Sequence, residues 1–178
     1  MIDHDLGRAL TGHTEPVRGV ATGMVDDQVV VVTVGDDKTV RRWDPTTGRP
    51  IGEPLTGYTH QVRGVGTTVV DGRPIAVAGD WDGNVLVWDL ATGEPVDDLP
   101  DSETGGVWWM APAVVDGLPV VVAAGDDGGV LMFDVTTGEE SDACLSCGSW
   151  VFAMATAVVD GLPVGSMPRR RIQKRIIA

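Results

Sequence analysis

Apolar residues in this chain fall in short, valine-rich runs that are interrupted every few positions by Gly, Pro or Asp. Runs of this length with alternating or fully apolar patterning, bounded by turn residues, predict strands and not helices. Over the first fifty-five residues they predict strands near Val17–Thr22, Val29–Val34, Val40–Trp43 and Pro50–Leu55. No stretch carries a sustained apolar period of about 3.6 residues. Asp71-Gly72 and Asp116-Gly117 suit tight hairpins that need positive φ, and Asp82-Gly83 and Asp127-Gly128 repeat the signal one hairpin later.

The pattern then repeats. Leu10-Thr11-Gly12-His13-Thr14 returns as Leu55-Thr56-Gly57-Tyr58-Thr59, 45 residues on. Trp43-Asp44 returns as Trp88-Asp89 and as Phe133-Asp134 at the same offset of 45. Val69-Val70-Asp71-Gly72, Val114-Val115-Asp116-Gly117 and Val158-Val159-Asp160-Gly161 follow one another at 45 and 44. Three unrelated markers with one period define a repeat, and four short strands per repeat of about 45 residues describe one propeller blade. The fold class read from the sequence is therefore all-β, built of four-stranded antiparallel blades.

The units resemble WD repeats, which run from a Gly-His pair to a Trp-Asp pair. Gly12-His13 to Trp43-Asp44 and Gly57-Tyr58 to Trp88-Asp89 each enclose 29 residues. The regular linkers Asp89-Leu90-Ala91-Thr92-Gly93 and Asp134-Val135-Thr136-Thr137-Gly138 look most like bacterial members with near-uniform blades. The resemblance implies a structural hydrogen-bond network of His13, Thr33, Asp37 and Trp43 in the first unit. In the second unit Tyr58 and Ala78 replace His and Thr, which leaves Asp82 and Trp88 for that network. In the third, Ala123 and Phe133 replace hydroxyl and indole, so apolar packing is expected to hold that blade.

The repeats occupy about 10–54, 55–98, 99–142 and an incomplete 143–164, all within a region spanning 1–164. WD propellers usually have seven blades, about 315 residues at this period, whereas 178 residues supply about three and a half repeats and an incomplete ring. After Val164 the pattern stops, and residues 165–178 hold five of the 13 basic residues. That stretch reads as an out-of-frame or truncation product of a longer array. A genuine basic tail, or a substitute strand that helps close a ring of four blades or of two chains, stands as the alternative.

Composition narrows the function. With 26 acidic and 13 basic residues the net charge is −13, which opposes nucleic acid and anionic membrane as partners. No segment has the length of apolar sequence a spanning helix needs, and Met1–Leu10 lacks a signal-peptide pattern, so a cytoplasmic location is expected. Cys144 and Cys147 have dithiol spacing without a third cysteine, and the recurrent pairs Asp36-Asp37 and Asp126-Asp127 read as turns; no metal or cofactor is expected. The serines lack a nearby histidine base, so no catalytic residue is assigned.

Trp81 stands in the turn whose counterparts in the other units contain Asp37 and Asp127, and is the candidate partner contact. Alternation places Trp108 and Trp150 in the core between blades, with Trp109 on the opposite side. The resemblance implies a noncatalytic protein-interaction scaffold that binds protein partners through its blade loops and self-associates where a ring needs closing. It also implies a fragment of a longer propeller or signalling protein. An enzyme or cofactor-binding propeller whose channel site forms only on ring closure, and a truncated remnant without independent function, are the competing readings.

Overall fold

The computed structural model describes residues 9–98, 106–115, 118–125, 129–139 and 145–146. Every element among them is a strand: β1 (Val17–Val25), β2 (Gln28–Gly35), β3 (Val40–Asp44), β4 (Arg49–Pro50), β5 (Val62–Val70), β6 (Arg73–Asp80), β7 (Val85–Asp89), β8 (Pro95–Asp98), β9 (Val107–Val115), β10 (Leu118–Gly125), β11 (Gly129–Asp134) and β12 (Leu145–Ser146). They form three four-stranded antiparallel sheets, each a simple meander in chain order. The described residues have an all-β propeller architecture and do not close a ring.

Two predicted features take a different form. The fourth strand of the first blade pairs only at Arg49–Pro50. Gly52 (φ 70°) then turns the chain out, and it returns as a single bridge from Leu55 to Val40. The first hairpin turns on Asp26 (φ 48°) and Asp27 (φ 61°), where the second uses Asp71 (φ 51°) and Gly72 (φ 80°). Both pairs have the positive φ of the tight hairpin turn.

The inner strands β1, β5 and β9 lie side by side and bring the sheets face to face. Strand alternation sends Val30, Val32 and Val34 of β2 into one core with Val62, Val65, Ala76 and Ala78 of the second sheet. Ile75, Val77, Val85 and Val87 point the other way into a second core, with Met110, Val121, Leu131 and Phe133 of the third sheet. Close approach depends on small residues: a Cβ at Gly64 or Gly66 would lie 2.7 or 2.6 Å from Met110 Cγ or Pro112 Cδ. Burial of this aliphatic surface, at about 25 cal/mol per Å² removed from water, is the main force holding blade to blade.

Each inner strand is also interrupted near its start. The pairing skips one residue between Val17 and Gly19, between Val62 and Gly64, and between Val107 and Trp109. The bulged residues are Arg18, Arg63 and Trp108. A bulge re-aims its side chain out of the alternation, and this shift builds the site described next. The end of the sheets that carries the bulges and the β2–β3 and β6–β7 turns is called the upper end below.

Candidate functional site

Two polar constructions meet at the upper end, one inside the blades and one on their surface. Inside the first blade, Trp43 Nε1 donates to Thr33 Oγ1 at 2.7 Å, and Thr33 Oγ1 lies 2.7 Å from His13 Nε2. His13 Nδ1 is 2.9 Å from both carboxylate oxygens of Asp37. All donors are satisfied when His13 carries its proton on Nδ1, so that each group donates to the next in the order Trp43, Thr33, His13, Asp37. Asp37 also accepts from the Thr39 hydroxyl (2.9 Å) and the Thr14 amide (3.1 Å). Burial pushes the Asp37 carboxyl up, but these hydrogen bonds from His13, Thr39 and Thr14 outweigh it and hold the group below the ordinary carboxylate range.

The second blade solves the same problem with other residues. Trp88 Nε1 donates to Tyr58 Oη at 2.9 Å, and the phenol donates to the Ala78 carbonyl at 3.3 Å. One longer side chain spans the distance that His13 and Thr33 share in the first blade. Asp82 lies outside this network: it is exposed and meets His60 Nδ1 at 2.8 Å. The buried carboxylate is Asp80, which accepts from the amides of Asp82 and Asn84 at 3.0 Å each and from the His60 amide at 3.3 Å. The acceptor sits two residues earlier than its first-blade counterpart because Asp80 replaces Gly35. An aspartate at a position where the other repeats carry Gly35 and Gly125 was the available signal.

On the surface, the bulged residues and the turn residues interleave across the blades. Arg18 Nε donates to Asp36 Oδ1 at 2.8 Å, and Arg18 Nη2 meets the other oxygen. Arg63 Nη2 of the second blade reaches Asp36 Oδ1 at 3.9 Å. The Arg63 guanidinium carbon then lies 4.7 Å from the Trp81 ring centre and 4.8 Å from that of Trp108. Trp81 and Trp108 pack with ring centres 5.0 Å apart. The result is a continuous belt: Arg18, Asp36, Arg63, Trp81, Trp108.

Trp81 is half-buried in this belt and not a free-standing turn residue. Trp108, expected in the core, is half-buried here because its bulge shifts it out of the alternation. Trp109 lies on the far face of the third sheet against Val122, Ala124 and Val130. Sequence reasoning missed Arg63 and placed Trp108 in the core, since a bulge leaves no mark in a count of alternating residues. Trp150, Cys144, Cys147, Asp126 and Asp127 lie outside the described residues. Among the described residues, no three of His, Cys, Asp or Glu converge as metal ligands.

The family model described as WD domain, G-beta repeat, matches residues 5–44. The first repeat of the chain is thus similar to a WD repeat. The matched repeat holds all four members of the first-blade network. The crystal structure of the computationally designed Ika4 protein, a propeller, is similar to this chain with a TM-score of 0.66 and 25% identity, covering 84% of this chain and 85% of that one. No curated protein sequence matches the chain significantly. WD-repeat propellers are typically noncatalytic, and WD domains generally mediate protein–protein interaction.

Proposed function

We propose that this chain is a noncatalytic protein-interaction scaffold whose upper end receives the partner. The belt from Arg18 to Trp108 carries the reading. It joins three charged side chains and two indoles across two blade junctions, with Arg63, Trp81 and Trp108 half-buried and packed together. Tryptophan and arginine held this way are the residue types that anchor protein interfaces. The test is site-specific photo-cross-linking in the source cells. A benzoylphenylalanine replacing Trp81 is expected to capture a partner protein, and the same probe at Val69, at the lower end, is not. Equal capture from both positions, or none from either, overturns the reading.

The array is also proposed to be part of a larger propeller. Val20, Val65 and Met110 occupy one repeat position, yet Val65 and Met110 are 8% and 2% exposed while Val20 is 65% exposed. The second and third blades cover this position with the blade before them. The same face of the first sheet carries Val20 and Met24, both exposed. A further blade, from a longer chain or a second copy, fits that face. In sedimentation, a monomer that binds a hydrophobic dye supports the longer chain and a dimer supports the second copy. A monomer that binds no dye overturns an open blade face.

A further inference from the structure

We propose that Arg63, packed against both Trp81 and Trp108, is the receptor for a single carboxylate side chain of the partner, flanked by apolar residues. This rests on the scaffold reading above and names the chemistry of its site. The repeat itself supplies the argument. In the first blade the bulge arginine, Arg18, is met by the carboxylate of its own turn, Asp36, through both oxygens. In the second blade the bulge arginine is Arg63, and the turn position that held Asp36 holds Trp81. The indole keeps the guanidinium in place but offers no acceptor.

Asp36 does not make up the loss. Its oxygens are engaged by Arg18, and Arg63 reaches it only at 3.9 Å, beyond hydrogen-bonding distance. Arg63 Nε is buried without a hydrogen-bond partner, and among the described residues the nearest carboxylate to the guanidinium is Asp36 at ion-pair distance only. A guanidinium presents a planar fork of donors that matches the two oxygens of a carboxylate. Packing against two rings orders a side chain that otherwise loses rotamer entropy on binding. With side-chain exposure of 17%, the charge sits in partly apolar surroundings, where a charge-assisted hydrogen bond is stronger than in water. The net charge of −13 repels a run of acidic residues. One carboxylate set among apolar side chains, which pack on the indoles, is what the site suits.

The probe is the blocked peptide acetyl-Ala-Leu-Glu-Leu-Ala-amide, titrated into the full chain. Binding is followed by the NMR signals of the Arg63 Nε–H and the Trp81 and Trp108 indoles. Saturable shifts are expected, weakened about tenfold or more when the peptide carries Gln for Glu or the protein carries Arg63→Gln. Trp81→Asp gives Arg63 an own-blade carboxylate like that of Arg18 and is expected to abolish binding, with the spectrum of the first blade unchanged. Equal binding of the Gln peptide, no saturation by about 10 mM, or tighter binding of inorganic phosphate than of the peptide overturns the proposal. Cross-linking from Trp81 survives such a failure if only the carboxylate assignment is wrong.

Discussion

The indole of Trp88 donates to the phenol of Tyr58 at 2.9 Å, in the place where Trp43 of the preceding blade donates to Thr33. Both members of the pair are buried. Tyr58→Phe removes the acceptor and leaves the Trp88 N–H unpaired in the core, a loss of about 1–3 kcal/mol. The double substitution Tyr58→His with Ala78→Thr installs the residue types of the first blade and is expected to recover part of that loss. Chemical denaturation of the variants checks both. A Tyr58→Phe protein as stable as the parent would show that the bond contributes nothing.

Blade junctions carry polar clasps as well as apolar cores. Arg42 of β3 is buried, and its Nη1 donates across the junction to the Leu90 carbonyl at 2.8 Å and to that of Ala91 at 3.2 Å. Burial pushes the Arg42 pKa down, with Asp89 acting against the shift. Arg42→Ala removes the donor and the packed stem together and is expected to cost about 2–3 kcal/mol. Gly93→Ala is predicted to damage the same clasp from the other side, because the new Cβ would collide with Arg42 Nη2 and the backbone there has φ 82°. Thermal unfolding would show both variants lowered; an unchanged midpoint for Arg42→Ala would remove the clasp from any account of stability.

Much of this was legible from spacing. The 45-residue period, the valine runs and the Asp-Gly turns locate the blades because backbone geometry ties each to a local residue preference. The fourth strand of the first blade was overextended, since Gly52 and Pro54 break an apolar run that reads as continuous. The surface belt was legible only at Trp81. Arg63 and Trp108 owe their placement to bulges, which change the parity of the strand without changing its composition. Repeat equivalence with Asp37 points to Asp82, whereas the buried carboxylate of the second blade is Asp80, two residues earlier.

The first hairpin holds two aspartates at φ 48° and 61°, a conformation costly to residues with a Cβ, whereas the second hairpin places Gly72 at the later position. Asp27→Gly is therefore predicted to stabilise the chain, by about 0.5–1 kcal/mol after the added freedom of the unfolded glycine is counted. The same change at Asp71 has no such expectation attached, since its turn already contains one glycine. A rise in the denaturation midpoint with an unchanged slope is the expected result, and a fall would mean that the Asp27 side chain makes a contribution larger than the relieved backbone cost.

Acid should destabilise the protein through its turn carboxylates. Hydrogen bonds from Thr46 and Thr47 lower the exposed Asp44 to about 2. Asp134 is lowered by its bonds from Thr136 and Thr137, and Asp37 by its bonds from His13, Thr39 and Thr14 against the cost of burial. A carboxyl whose folded pKa lies below its unfolded value binds fewer protons when folded, so stability rises with pH across the interval between the two. The contribution is fully present above the unfolded value of about 4 and is lost as pH falls toward the folded value, near 2 for Asp44. Urea midpoints measured from pH 7 down to pH 2 are expected to hold level and then fall below about pH 4–5. Asp37→Asn should lower the plateau, because the amide cannot replace an ionised acceptor of donors from three residues, and should flatten the acid limb. An Asp37→Asn protein with the parent's plateau and the parent's acid limb would show that the carboxylate beside His13 takes no part in holding the first blade.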